Sequence, residues 1–565
     1  MARQAREERE AAFDDNQLEV DPFDKRVNRA HGKWKYLVSR VLFHLPFSLF
    51  HSVRVRLAAG LAVFLASAFA VGAGGLGVPF ASACVSAVLL AVLIAGIVSR
   101  RLFLATGFAF ATRRWLAVTA AIGVIAAAAQ IVPLTVFMTD PNRVEYSTQP
   151  ADPFRTRHSC MSSYAEGARF AADGSVNIYD LKLYQPRYIG TLQVDPYHYP
   201  PPFLLLPQAI RLVTPEFGGF RALWFSLQLL VVVAGFVAAA IWIGGVAGTT
   251  VLAGGALVMA IPGSVFSLQQ GNFQVTAIPL AAAAFALLLA GRLSVGASLL
   301  AWTAAAKIFP GILVVHFIAA RRWRALGWVA AAGLVLLGLT IATQGTRPLH
   351  DFVTHALPAM ADGTAFPHTE RRDTASVNWT VYGLTTRLRA LGVSSLTQPV
   401  GLSIASIYGL IVIGVAAFAG WRRPLRIDHP AGRLAVLQLA VALVGLASFR
   451  SPFAGAPYGS FSTLCLMALL AAGASSYRDA RLWMAALLVY GVSIRSIPSP
   501  GSSPGPIWLW VSGALLLFTL ALNFWVAVRA YRPSGSLTDD AGEAGESATY
   551  IVPGPGAPAA SAAPT

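Results

Sequence analysis

Apolar runs close to the length of a bilayer core recur along most of the chain, each ended by a short polar break. They occupy positions 57–71, 81–98, 115–138, 223–243, 275–290, 326–341, 402–419, 434–447, 482–492 and 507–528. A helix rises about 1.5 Å per residue, so roughly 20 apolar residues cross the hydrocarbon layer. Many runs are rich in Ala and Gly, which lets helices approach closely. The pattern predicts an all-α polytopic membrane protein, a bundle of about 12 to 14 membrane segments. Runs at 202–213 and 251–261 are short for full spans and predict re-entrant pieces. The run 293–320 carries Lys307-Ile308-Phe309-Pro310-Gly311 at its middle. A proline there predicts a broken helix, two short legs with their tip on the outer side and Lys307 beside a cavity.

Charge orients this bundle. Only 12% of the residues are Asp, Glu, Lys or Arg, against 56% hydrophobic, and the mean hydropathy is +0.60. The formal net charge of +17 comes from basic clusters at the ends of apolar runs, such as Arg100/Arg101, Arg113/Arg114, Arg321/Arg322/Arg324 and Arg422/Arg423/Arg426. Cytoplasmic loops of membrane proteins carry such an excess, so no nucleic-acid partner is implied. With the N-terminus cytoplasmic, the arginines between the second and third spans fall inside and the loop 139–199 falls outside. The first apolar span begins near Arg56, too late for a secretory leader. Residues 1–56 read as a cytoplasmic segment whose 33–53 stretch lies on the membrane surface or forms a solvated linker. The membrane domain covers 57–531, and the Ala, Pro, Gly and Ser-rich tail 532–565 reads as disordered and cytoplasmic. Ala, Gly and Arg usage suggests a GC-rich bacterium, hence a bacterial plasma membrane. Cys84, Cys160 and Cys465 are scattered and imply no disulfide.

The polar residues are not spread evenly. The loop 139–199 holds Glu145, Asp152, Arg155, Arg157, His158, Glu166, Arg169, Asp173, Asp180, Lys182, Arg187, Asp195 and His198, and it closes with Tyr199-Pro200-Pro201-Pro202-Phe203. The loop 344–396 adds His350, Asp351, His355, His368, Glu370, Arg371, Arg372 and Asp373. Within it, 376–384 (Ser-Val-Asn-Trp-Thr-Val-Tyr-Gly-Leu) reads as an amphipathic surface helix. The loop 448–459 and the segment Gln269-Gln270-Gly271-Asn272-Phe273-Gln274 complete the set. All four fall on the outer side in this topology, which describes a cavity where something polar is handled.

In order, the motifs are Tyr164-x-x-Gly-Ala with Gly174 and Ile178-Tyr179-Asp180, then Tyr199-Pro-Pro-Pro-Phe203 with Pro207. Gln270-Gly271-Asn272, Ala306-Lys307-x-x-Pro310, Asn378 with Gly383-Leu384, and Ser451-Pro452 follow. This series resembles the polyprenyl-phosphate-sugar-dependent glycosyltransferases of the GT-C type, glycosyltransferase family 87, over roughly residues 115–475. The resemblance implies transfer of a hexose or pentose, mannose first, from a polyprenyl-phosphate donor to an extracytoplasmic glycolipid or glycan acceptor, without cofactor. Relatives carry an aspartate about four residues before the tyrosine matching Tyr164. Here that neighbourhood reads Arg157-His158-Ser159-Cys160-Met161, so Asp152, His158 and Glu166 become the candidate catalytic groups.

Inverting transfer from a lipid phosphate needs a base on the acceptor hydroxyl and cations on the leaving phosphate. Lys307 is the foremost phosphate candidate, with Arg157, Arg371, Arg372 and Arg450 beside it. Tyr164, Asp195, Tyr199, Gln270, Asn272, Asn378 and Trp379 are candidates for sugar or acceptor contacts. Five of them also have a plainer reading: turn residue for Asp195, helix cap for Gln270 and Asn272, interfacial anchor for Tyr199 and Trp379. His350, Asp351 and His355 lack a tidy i, i+4 spacing, and no metal is predicted. The rival readings are a transporter, which also uses broken helices, and a relative that binds lipid-linked sugar without turning it over.

Overall fold

The computed structural model describes residues 114–422, 425–501 and 504–529. The expected spans at 57–71 and 81–98, the surface stretch at 33–53, Cys84 and the tail lie outside them. Fifteen principal helices carry the description. They are α1 (Arg114–Thr139), α2 (Cys160–Asp173), α3 (Phe217–Ile243), α4 (Gly245–Ala260), α5 (Pro262–Gln270), α6 (Gln274–Leu289), α7 (Leu293–Ala306) and α8 (Ile312–Ala319). Then come α9 (Trp323–Gln344), α10 (Val381–Ala390), α11 (Gln398–Arg422), α12 (Pro430–Ser448), α13 (Phe461–Ala472), α14 (Tyr477–Arg495) and α15 (Pro506–Val528). Among the described residues six are long and apolar enough to cross a membrane, α1, α3, α9, α11, α12 and α15, and a seventh span counts if the bent pair α4/α5 is one. The protein is an all-α, multi-pass membrane protein.

The bundle has two unlike ends. One gathers the long loops 140–216, 345–397 and 449–460 with 496–501, and the other holds tight turns at 290–292 and 320–322 together with 425–429. At this second end stand Arg292, Arg321, Arg322, Arg324, Arg422 and Arg426, and the acids there among the described residues are Asp428 and Asp479. α12 runs through the middle, with 72% of its apolar window buried, whereas α9 lies at the edge with 11%.

Two interruptions place the site. α4 and α5 meet at 68° where Pro262 enters as the first helical residue. A proline has no N–H to give the preceding turn, so the chain turns there. α5 ends on Gly271, whose φ of 70° is left-handed and whose missing Cβ would sit against Met161 of α2. No residue with a side chain satisfies both demands.

The second interruption falls where the sequence predicts it. α7 stops at Ala306, Lys307 is extended, and a 3₁₀ turn over Phe309–Gly311 starts α8. Gly296 near the start of α7 lies against Leu288 of α6, while His316 and Phe317 near the end of α8 meet Phe285 of the same helix, with ring centroids 4.9 and 5.2 Å apart. Both legs therefore return to the basic end, and Lys307 sits at their tip. The legs splay: α7 packs on α6 and α9, α8 on α11.

One expectation is corrected. Residues 376–384 do not form a surface helix. Thr380 caps α10 by accepting from the Gly383 N–H, so helix begins only at Val381. Asn378 instead pairs with Gly455 in a β-bridge, gives Nδ2–H to the Pro452 carbonyl at 2.9 Å and accepts from Thr380 Oγ1 at 2.9 Å. Asn378 and Trp379 are both fully buried. The polar residues that suggest a wet helix face are consumed in tying loop 345–397 under loop 449–460. Asn378→Ala leaves the Pro452 carbonyl and the Thr380 hydroxyl short of partners, and is expected to cost about 1–3 kcal/mol of stability. Thermal unfolding in detergent measures it.

Candidate active site

The site is held by a small parallel β pairing. β1 (His158–Ser159) lies beside β3 (Leu192–Val194), His158 opposite Gln193, and β2 (Tyr188–Ile189) closes the other edge antiparallel. This brings Asp195, the first residue past β3, to His158, and the Nδ1–H of the ring donates to Asp195 Oδ1 at 3.0 Å. Ser162 at the start of α2 accepts from the Asp195 N–H and fixes the backbone. The two side chains are 29% and 25% exposed, open enough to meet a substrate.

Above them Lys307 places its ammonium 4.5 Å from the centre of the Tyr199 ring. Tyr199 also accepts from the buried Tyr164 hydroxyl at 2.8 Å and stacks on Phe203, so the ring is fixed. Cys160 lies in the field of both Asp195 and Lys307. Burial, then Asp195, push its thiol up to about 12 while Lys307 works against them, so it stays a neutral thiol. Asn272 points Nδ2 at its sulfur, 3.6 Å away.

Two other loops reach the same place. His198 packs at a tilt against Phe366 at 4.8 Å, and His368 meets Phe453 edge-on at 4.6 Å. Burial, then His368 and Lys307, lower His198 to about 4, from an ordinary 6.5. Burial and Arg371 lower His368 as well, with Asp195 opposing. Because the fold holds His198 neutral, the unfolded chain takes a proton first as pH falls. Stability is fully present above about pH 6.5 and is lost between there and pH 4. His198→Asn is expected to flatten that slope in a melting-temperature profile.

The other residues singled out in the sequence sit as follows. Asp152 caps the short helix Pro153–Arg157 and pairs with Arg155 at 3.2 Å. Glu166 is held by Arg169 at 2.9 Å and Arg187 at 2.7 Å, and is nearly buried. Gln270 gives its amide to the His158 carbonyl and Gln269 to that of Arg155, so this segment moors the loop to the membrane helices. Arg157 and Arg372 are exposed, Arg371 is paired with Asp373, and Arg450 lies along Gly409 of α11. Asn378 and Trp379 face no solvent. The sequence analysis places Cys160, His198 and His368 in or beside the polar loops but gives them no site role, and it does not single out the 496–501 segment, whose Ser499 and Gly501 bond Arg155 and Asp373. Among the described residues, no three His, Cys, Asp or Glu side chains gather as a metal site.

The arrangement offers a partly exposed carboxylate and an ammonium on an aromatic floor, where a loop cluster meets the tip of the broken helix. A model of glycosyltransferase family 87 matches residues 197–452. Over that stretch the chain is similar to glycosyltransferase family 87. The match takes in Tyr199, Gln270, Asn272 and Lys307, and begins two residues after Asp195. No curated protein matches the chain. That similarity supports a membrane glycosyltransferase, and a broken helix presenting Lys307 to the loop cluster is consistent with that chemistry.

Proposed function

We propose that this glycosyltransferase moves a sugar, mannose first, from a polyprenyl-phosphate donor to an extracytoplasmic lipid or glycan acceptor, with Asp195 as base and Lys307 on the phosphate. The observation that carries it is the meeting of the Asp195–His158 pair with Lys307 and Tyr199 at the loop end. The acceptor oxygen attacks the anomeric carbon opposite the phosphate, and its proton passes to Asp195. The anomeric C–O bond breaks with its electron pair left on the phosphate oxygen, where the Lys307 ammonium offsets the charge. His158 keeps one carboxylate oxygen bonded and leaves the other for the hydroxyl. Of the carboxylates in the loop 139–199 weighed for this role, Asp152 and Glu166 are held by arginines and Asp195 is not. Tyr199 gives the sugar a flat, fixed surface.

The basic end, with its arginines, supports a cytoplasmic assignment for that end and an extracytoplasmic one for the site, in a bacterial plasma membrane. A lipid donor suits a site at the tip of two membrane legs, since its phosphate lies at that depth while its chain stays in lipid.

The purified full chain, offered polyprenyl-phosphate mannose, polyprenyl-phosphate arabinose and a nucleotide-linked mannose with a panel of acceptors, is expected to use the lipid-linked sugars alone. Equal use of the nucleotide sugar would overturn the donor class.

A further inference from the structure

The basic end carries a second feature that transfer chemistry does not use. Between the end of α8 and the end of α11 lies an open groove of about 470 Å³, lined by Ile318, Ala319, Arg321, Trp323, Ala417, Phe418 and Trp421. Its walls are apolar and largely uncovered: Ile318 is 49% exposed, Trp323 64% and Trp421 71%. Guanidiniums stand at its mouth. Arg321 lines it directly, held by a turn in which its own φ is 54°. Arg422 lies over the rings of Phe418 and Trp421, 5.3 and 5.7 Å from their centres. Arg322 and Arg324 flank the turn and are exposed. None of the four forms an ion pair among the described residues, and the acid in the neighbouring 425–429 segment, Asp428, lies beside His429 at 3.8 Å.

Charge repulsion among unpaired arginines disfavours this grouping unless an anion or bulk water screens it. The positive-inside rule accounts for arginines at this end, but not for an apolar channel leading to them between two membrane legs. Tryptophans at both rims mark the depth of the head groups. A basic pocket between membrane helices is the chemistry that takes an anionic lipid head. We propose that this groove binds an anionic diacyl phospholipid, with its phosphodiester on Arg321 and Arg422 and an acyl chain along Ile318, Ala417 and Phe418. The bound lipid bridges α8 to α11 and so braces the short leg whose other end presents Lys307.

The full chain in zwitterionic detergent is mixed with phosphatidylglycerol or phosphatidylcholine of the same acyl chains, and retained lipid is counted by native mass spectrometry. Each guanidinium near a head-group phosphate is worth roughly fivefold, so phosphatidylglycerol is expected to be retained at least about fivefold better. The double variant Arg321→Gln/Arg422→Gln is expected to remove most of that preference by lowering phosphatidylglycerol retention more than phosphatidylcholine retention, while the Arg→Lys pair retains it. Equal retention of the two lipids, or an unchanged preference in the glutamine variant, overturns the proposal. Complete displacement by inorganic phosphate would show an anion site without a lipid. Displacement by polyprenyl phosphate at equal concentration would give the groove to the substrate instead.

Discussion

Asp195→Asn is expected to lower kcat/KM for sugar transfer by about 10²- to 10⁴-fold, the range for loss of a general base. The amide is the same size and keeps a carbonyl oxygen for the His158 Nδ1–H, 3.0 Å away in the parent, so the β1–β3 pairing survives. What is lost is the ability to take a proton. His158→Gln is expected to cost far less, because His158 holds the carboxylate and does not itself receive the hydroxyl proton. A loss with His158→Gln equal to that with Asp195→Asn would move the base to the imidazole. Asp152→Asn and Glu166→Gln act as controls. Asp152 is a cap paired with Arg155, and Glu166 is shared by Arg169 and Arg187. Their effects are expected in stability, with the transfer rate per folded molecule unchanged. Steady-state rates beside unfolding temperatures separate the two.

Lys307→Met is expected to lower kcat/KM by about 10²- to 10³-fold, the size of effect seen when one fixed donor to a developing anion is removed. Methionine keeps most of the aliphatic stem, so packing at the tip of the α7–α8 break is nearly retained. The ammonium on the Tyr199 ring disappears, and with it the cation that meets the leaving phosphate. Arg in place of Lys restores charge but brings a planar fork where a compact ammonium stands, and partial recovery is expected. Donor binding, followed by polyprenyl-phosphate competition, is expected to weaken in parallel. Full activity in Lys307→Met would remove the phosphate from this position.

Much of the bundle was legible in the sequence because membrane helices announce themselves by length and apolar content. The break at Lys307–Gly311 was legible for a related reason: a cation and a proline inside an apolar run have few explanations. The end that carries the loops also followed from the arginines. The site was legible only as a neighbourhood. His158 and Asp195 meet through strands of two and three residues, too short to show an alternating pattern, and their separation of 37 residues leaves no local trace. Asp152 and Glu166 look as available in sequence as Asp195 does, since nothing in a string of letters says which carboxylate is already bonded to arginine. The reverse holds at Asn378, Trp379 and Gln270. Their polar or aromatic character suggests sugar contacts, yet the fold spends Asn378 and Gln270 on backbone partners and buries Trp379 against Gly459.

The most direct measurement follows transfer of labelled mannose from polyprenyl phosphate in single turnovers by the purified full chain, wild type beside Asp195→Asn and Asp152→Asn, with donor binding recorded for each. The expected result is donor binding in all three, transfer by the wild type and Asp152→Asn, and at least about 10²-fold slower transfer by Asp195→Asn. Transfer that survives in Asp195→Asn, or that vanishes in a folded, donor-binding Asp152→Asn, would contradict the assignment of the base to Asp195.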